Sequence, residues 1–321
     1  MNRFSIVCGL IIAASLVPAR AIAATFSQIV VYGDSLSDVG RFYTASGGTF
    51  PPPPYSNGKF SNGPVWVEYL ATSLGIPNDP TTNFAVGNAK TDSHPQAPAP
   101  GFIGIKEQID NDKSPVKSNN LYVIWGGAND YLEPVNPANP ANPSVIVGNL
   151  AAQIGTLIGR GAKNILVPNL PNLGQLPSTL ASPASGLLNN ATQLHNLSLE
   201  ASIRNLNLSL NDPTVKVNLL DVNFLFNTAS SVGFTNVTDK CITSLGCTPD
   251  TYLFWDEVHP TTAGHRLIGD LAFSVVSPTA VPEPMTILGS LAAASSAIAF
   301  KRKLKSSSLK AKKLVKISNR S

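Results

Sequence analysis

Four short runs of β-branched and other apolar residues, at positions 29–32, 121–125, 165–167 and 215–220, are bounded by Gly, Pro, Asn or Asp and separated by stretches too long for hairpins. Parallel strands need crossover connections of a dozen or more residues, usually helical, and such sheets are covered on both faces. Two intervening stretches, 145–161 and 187–210, have helical length and apolar residues at spacings of three and four, as in Leu194, Leu197 and Ile203. The pattern predicts an α/β fold, a three-layer α/β/α sandwich around a central parallel sheet. Chemistry in that architecture sits beyond the carboxyl ends of the strands. Two breaker-rich stretches interrupt it. Residues 51–54 are four prolines with Gly47, Gly48, Asn57 and Gly58 around them, and residues 133–143 read E-P-V-N-P-A-N-P-A-N-P, which predicts an extended, exposed surface insertion.

The two ends read differently from the middle. Residues 1–24 carry Arg3, an apolar run over 4–17 and the small-residue segment Ala21-Ile22-Ala23-Ala24, the pattern of a secretory signal peptide; an uncleaved membrane helix is the alternative, poorly served by so short a run ending at Pro18 and Arg20. After Ser277 come Val281-Pro282-Glu283-Pro284, an apolar run over 285–300, and a tail beginning Lys301-Arg302-Lys303. This arrangement resembles the bacterial PEP-CTERM sorting signal; a plain C-terminal anchor is the alternative, and both imply membrane contact through residues 285–300 before any processing. One catalytic domain over 25–278 remains, with export to the cell surface, the extracellular matrix or the medium as the expected destination.

The chain has 23 Lys and Arg against 19 Asp and Glu, a formal +4, but nine of the basic residues lie in 301–321, where there is no acid. The part between 25 and 280 is therefore net acidic and has no basic stripe, which removes nucleic acid as a partner. Of three cysteines, Cys8 lies in the signal segment. Cys241 and Cys247 remain, and in an exported chain such a pair predicts one disulfide, with two free thiols as the alternative.

The strand at 29–32 runs into Gly33-Asp34-Ser35-Leu36-Ser37-Asp38, which sets Ser35 at a strand's carboxyl end where a helix is predicted to begin. A helix N-terminus offers free N–H groups and partial positive charge to an oxyanion. A serine hydroxyl also needs a base, and the base needs an acceptor that fixes its tautomer. Phe254-Trp255-Asp256-Glu257-Val258-His259-Pro260 supplies a carboxylate and an imidazole within one short loop. Between them Trp125-Gly126-Gly127-Ala128-Asn129-Asp130 ends a strand with glycines and an amide able to donate to an oxyanion, and Asn83-Phe84-Ala85-Val86-Gly87-Asn88-Ala89 is a second strand-to-loop junction. Each alone also reads as turn or capping chemistry; their joint presence points to nucleophilic catalysis.

Together these four ordered segments resemble the GDSL lipase/esterases, also called SGNH hydrolases, from Gly33 to His259. The resemblance implies a flavodoxin-like five-stranded sheet and Ser35, Asp256 and His259 as the catalytic triad. It also implies an oxyanion hole from the Ser35 N–H, Asn129 and a backbone N–H of the second block. That block usually reads N-F-A-x-G-G, and here Asn88 stands where the glycine is expected, so the donor is Gly87 or Asn88. No G-x-S-x-G elbow occurs in the chain, which argues against the α/β-hydrolase arrangement. His94, His195 and His265 lack ligand-spaced company and read as surface or packing residues, so neither metal nor cofactor is expected. The implied activity is hydrolysis of carboxylic esters, of small molecules or of lipids, through an acyl-enzyme. Acyl transfer by the same triad and a non-catalytic surface protein of the same fold are the alternatives.

Overall fold

The computed structural model describes residues 26–93, 103–132 and 141–277. The segments 1–24 and 279–321, and with them the export and sorting expectations, lie outside the described residues. In chain order the elements are β1 (Ile29–Gly33), α1 (Arg41–Ala45), α2 (Trp66–Leu74), α3 (Ile105–Asn111), β2 (Leu121–Trp125), α4 (Ala128–Leu132) and α5 (Pro143–Gly159), then β3 (Asn164–Pro168), α6 (Ser185–Ser209), β4 (Lys216–Leu220), α7 (Val222–Asn227), β5 (Asn236–Lys240), β6 (Tyr252–Phe254) and α8 (Thr262–Val276).

The central sheet has the order β1-β2-β3-β4, every pair parallel, with Ile29 opposite Leu121 and Leu121 opposite Asn164. A fifth strand is implied by the family resemblance, and its place is taken by an extended segment rather than a regular strand. Asn83 bridges Val31 in parallel, and the N–H groups of Phe84 and Val86 donate to Val31 O and Gly33 O at 2.7 and 3.1 Å. β5 and β6 form a separate parallel pair.

Side chains of successive strand residues point to opposite faces, and here both faces are buried. Val31, Val123 and Trp125 pack with Trp66 and Leu70 of α2 and Ile268 and Ala272 of α8. Val30, Tyr32 and Ile124 pack with Ile109 of α3, Leu150 and Ile154 of α5 and Leu199 and Ile203 of α6. Fully burying one such aliphatic side chain contributes roughly 1.5–3 kcal/mol, so β1 and β2, buried throughout, read as apolar runs because they have no solvent face, whereas β4 (KVNLL) is part-exposed. The three-layer α/β/α sandwich is thus the observed fold.

Two sequence expectations need correction. Leu194 and Leu197 are 47 % and 57 % exposed, and α6 instead buries Leu188, Thr192, His195, Leu199 and Ile203. Thr192 Oγ1 bonds Leu188 O at 2.8 Å and takes the Leu173 N–H, and His195 Nδ1 meets Tyr131 OH at 3.0 Å, while His195 Nε2 is buried without a partner. The buried face of α6 thus combines the apolar Leu188, Leu199 and Ile203 with two polar residues that a count of apolar positions passes over. Pro143, read as part of the exposed prolyl stretch, opens α5, because Asn142 accepts the Ser144 N–H and a proline at the first helical position forfeits no bond.

Candidate active site

β1 ends at Gly33, where a Cβ would lie 2.7 Å from the Trp125 carbonyl, so only glycine lets the ends of β1 and β2 close up beneath the next residues. Asp34 Oδ1 then accepts the Leu36 N–H at 3.0 Å, and the Ser37 N–H reaches the Asp34 carbonyl at 3.1 Å. This is a turn and not the helix start predicted at Ser35; α1 begins only at Arg41. The reason is Asp38, whose buried carboxylate takes the N–H groups of Gly40, Arg41 and Phe42 and so defers the helix. Ser35 therefore stands on a side-chain-braced turn, without a helix N-terminus behind it.

Asp38 also accepts the Gly87 N–H at 2.8 Å. Burial raises the Asp38 carboxyl, and the N–H groups of Gly87, Gly40, Phe42 and Arg41 pull the other way. With the Gly87 N–H committed to this carboxylate, the next residue, Asn88, sits at φ +66°, a left-handed conformation that Asn tolerates better than most residues. Gly87 itself has no room for a side chain, since a Cβ would lie 2.6 Å from the Phe60 ring. Asn129, on the first turn of α4, donates from Nδ2 to Ala89 O at 3.0 Å and so ties this turn to the end of β2.

The loop after β6 closes on itself, Trp255 N–H donating to His259 O at 2.8 Å. Asp256 Oδ1 accepts the N–H groups of Val258 and His259 at 2.8 and 2.7 Å. His259 Nδ1 lies 2.7 Å from Asp256 Oδ2 and 3.0 Å from Oδ1, and His259 Nε2 lies 2.8 Å from Ser35 Oγ. Burial by itself would lift the Asp256 carboxyl, but the His259 charge and the hydrogen bonds from His259 and Tyr55 hold it well below the ordinary carboxylate range. Nδ1 then carries the imidazole proton, and Nε2 accepts from the Ser35 hydroxyl. Asp34, next to Ser35, is pushed up to about 7, chiefly by burial.

Ser35 and His259 open into a cleft of about 540 Å³, which Gly87, Asn88 and Asn129 also line. Phe42, Phe50 and Phe60 form an apolar wall, their ring centroids 5.9–6.0 Å apart, and Phe60 lies 5.1 Å from the His259 ring. Ser178, Thr179 and Ser182 line the same cleft. A larger groove rich in asparagine side chains lies on the far flank of α6 and includes none of these residues. Every oxyanion candidate and the triad thus meet in one place.

The other histidines do not reach it. His195 is buried and pushed down to about 4, and His265 is buried, pushed down to about 3 first by burial and then by the His259 charge, and accepts the Trp66 N–H at 3.3 Å. His94 lies outside the described residues. Among the described residues no group of three or more His, Cys, Asp or Glu is placed to hold a metal ion. Cys241 and Cys247 form a disulfide with Cα atoms 5.5 Å apart, and the N–H groups of Cys241 and Ile242 donate to Phe254 O and Trp255 O, just before Asp256. Tyr55, whose hydroxyl donates to Asp256 Oδ2 at 2.7 Å, and the phenylalanine wall escaped sequence reasoning. They sit in or beside the Pro- and Gly-rich stretch, which carries no periodic signal, and only the fold brings them across from residues some 200 positions away.

A serine bonded to an imidazole, itself bonded to a buried carboxylate at the carboxyl edge of a parallel sheet, is the geometry of a serine-hydrolase site, here on a three-layer α/β/α scaffold. The sequence pattern of the GDSL-like Lipase/Acylhydrolase family matches residues 29–272, and the chain belongs to that family, an enzyme acting on ester bonds. It is 27 % identical over 330 residues to the phosphatidylcholine-sterol acyltransferase of Aeromonas hydrophila, covering 84 % of this chain and 96 % of that one. It is 28 % identical to the thermolabile hemolysin of Vibrio parahaemolyticus over 76 % of this chain and 27 % identical to the esterase EstA of Pseudomonas aeruginosa over 85 % of it, spanning only 62 % and 50 % of those longer proteins. Among solved structures, a lipolytic protein of the G-D-S-L family from Veillonella parvula aligns over 78 % of this chain and 97 % of its own, at 17 % identity and a TM-score of 0.48.

Proposed function

We propose that this enzyme cleaves carboxylic esters through an acyl-enzyme on Ser35. The unbroken relay Ser35 Oγ–His259–Asp256, with links of 2.8 and 2.7 Å, carries the reading. Ser35 attacks the ester carbonyl as His259 Nε2 takes its proton, Asp256 stabilises the imidazolium, and the same proton passes to the leaving alkoxide; water then repeats the sequence on the acyl-enzyme. The oxyanion is held by the Ser35 and Asn88 main-chain N–H groups and by the second Nδ2 hydrogen of Asn129, because the Gly87 N–H is spent on Asp38. The apolar wall receives the acyl chain, and the substrates are esters of small molecules or of lipids.

The test is Ser35→Ala together with labelling by a fluorophosphonate and a chain-length panel of nitrophenyl esters. Turnover should fall on the order of 10⁶-fold and labelling should vanish. Wild-type turnover by pure Ser35→Ala protein ends the reading. A second reading, acyl transfer to an alcohol other than water, is favoured by the similarity to the Aeromonas acyltransferase. Product partition with added alcohol separates the two. We further propose action outside the cytoplasm, supported by the signal-like segment 1–24, the sorting-like segment 279–321 and the Cys241–Cys247 pair; recovery of the protein only from the cytoplasmic fraction, with Met1 intact on N-terminal sequencing, would count against it.

A further inference from the structure

Beyond the three triad residues, one more side chain bears on the relay. Tyr55 OH donates to Asp256 Oδ2 at 2.7 Å, the oxygen that also receives His259 Nδ1. The Tyr55 ring meets Trp255 edge-on at 6.4 Å, and its N–H closes a turn onto Pro52 O at 3.1 Å. The same segment is fastened to the catalytic loop a second time, where Ser61 Oγ donates to Pro260 O at 3.0 Å. Two anchors therefore fix the stretch 55–61 across the loop that presents Asp256 and His259.

We propose that Tyr55 is a positioning residue for the triad: its hydroxyl locks the Asp256 carboxylate in place and tempers the negative charge that carboxylate presents to His259. This rests on the acyl-enzyme reading above. A carboxylate that accepts a hydroxyl hydrogen bond is a weaker partner for an imidazolium than one that does not. Burial and the Asp256 bond raise the Tyr55 hydroxyl above its ordinary value, so it remains a donor through the whole working range. The other ionisable groups around the pair are Asp34 on the β1 turn, Lys59, bridged to Glu68 at 3.1 Å, His265 on α8, and Glu257, paired with Lys240. None of these bonds involves the Tyr55 hydroxyl.

The experiment compares the wild type with Tyr55→Phe, which keeps the ring against Trp255 and removes only the hydroxyl. Turnover of nitrophenyl butyrate should fall about tenfold with the Michaelis constant little changed, as for loss of one charge-assisted hydrogen bond. The acid limb of the kcat/KM profile should move about half a pH unit upward, because the unshared carboxylate holds the imidazolium proton more tightly. Site-specific 3,5-difluorotyrosine at position 55, a stronger donor of nearly the same shape, should move the limb downward and decides the matter if Tyr55→Phe folds poorly. An acid limb unmoved in both proteins overturns the proposal, whatever happens to turnover, since loosened packing alone does not shift it in opposite directions. Full activity of Ser35→Ala would instead sink the acyl-enzyme reading and leaves a different signature.

Discussion

Asn129→Ala separates transition-state stabilisation from substrate binding in this cleft. The amide of Asn129 has two N–H groups; one is fixed on Ala89 O at 3.0 Å before any substrate arrives, so the other is aimed in advance. A preorganised donor to an oxyanion contributes about 2.7–4 kcal/mol to the transition state, or 10²- to 10³-fold in turnover. Removing Asn129 also deletes the tether to the turn at 88–89, a bond of about 0.5–1.5 kcal/mol, which places the expected loss toward the upper end of that range. Steady-state kinetics on nitrophenyl butyrate should show the whole effect in kcat, with KM nearly constant, because a neutral ester carbonyl gains little from the donor. Asn88→Gly is the matched control. At φ +66° glycine keeps the N–H and the conformation, so activity should be retained or improved. Proline at 88 is unsuitable, since its φ is locked near −65° and the turn itself would change. Equal damage from Asn88→Gly and Asn129→Ala in folded protein would show that the Asn88 side chain is functional and that the main-chain assignment is wrong. A raised KM with intact kcat in Asn129→Ala would refute the oxyanion role.

Three other outcomes are expected. Asp256→Asn should lower turnover about 10⁴-fold, less than Ser35→Ala, because the base and oxyanion donors remain; equal losses in kcat assays would mean that Asp256 does more than orient His259. Reducing the Cys241–Cys247 bridge, or Cys241→Ser with Cys247→Ser, should cost about 2 kcal/mol in the loop-entropy view and should lower activity more than global stability, because the bridged loop is bonded to the strand that feeds Asp256; a denaturant midpoint that falls in step with kcat would contradict this. Asp34, raised to about 7 by burial, binds a proton more tightly folded than unfolded, so stability should decline as pH rises from about 4 to about 7, by at most about 1.4 kcal/mol per unit. Asp34→Asn should flatten that slope in urea titrations at pH 5 and 8, and an unchanged slope would place its origin elsewhere.

The sequence by itself determined the strands, since 29–32, 121–125 and 165–167 are apolar throughout and a strand buried on both faces has no other way to be written. It also marked Ser35, Asp256 and His259 as the residues that meet, because strand-end and loop motifs are local in the chain. Tertiary structure decided what depends on partners distant in sequence. The rotation of α6 buried Leu188, Leu199 and Ile203 together with Thr192 and His195, and left Leu194 and Leu197 exposed. The turn at Ser35 replaced a helix because Asp38 gathers N–H groups from both its own turn and Gly87, a bond to the second block that no local pattern announces. Tyr55 and the phenylalanine wall reach the cleft from a segment whose prolines and glycines hide any pattern. Local propensity writes periodicity into a chain, whereas a hydrogen bond between Tyr55 and Asp256 exists only once packing has brought the two together.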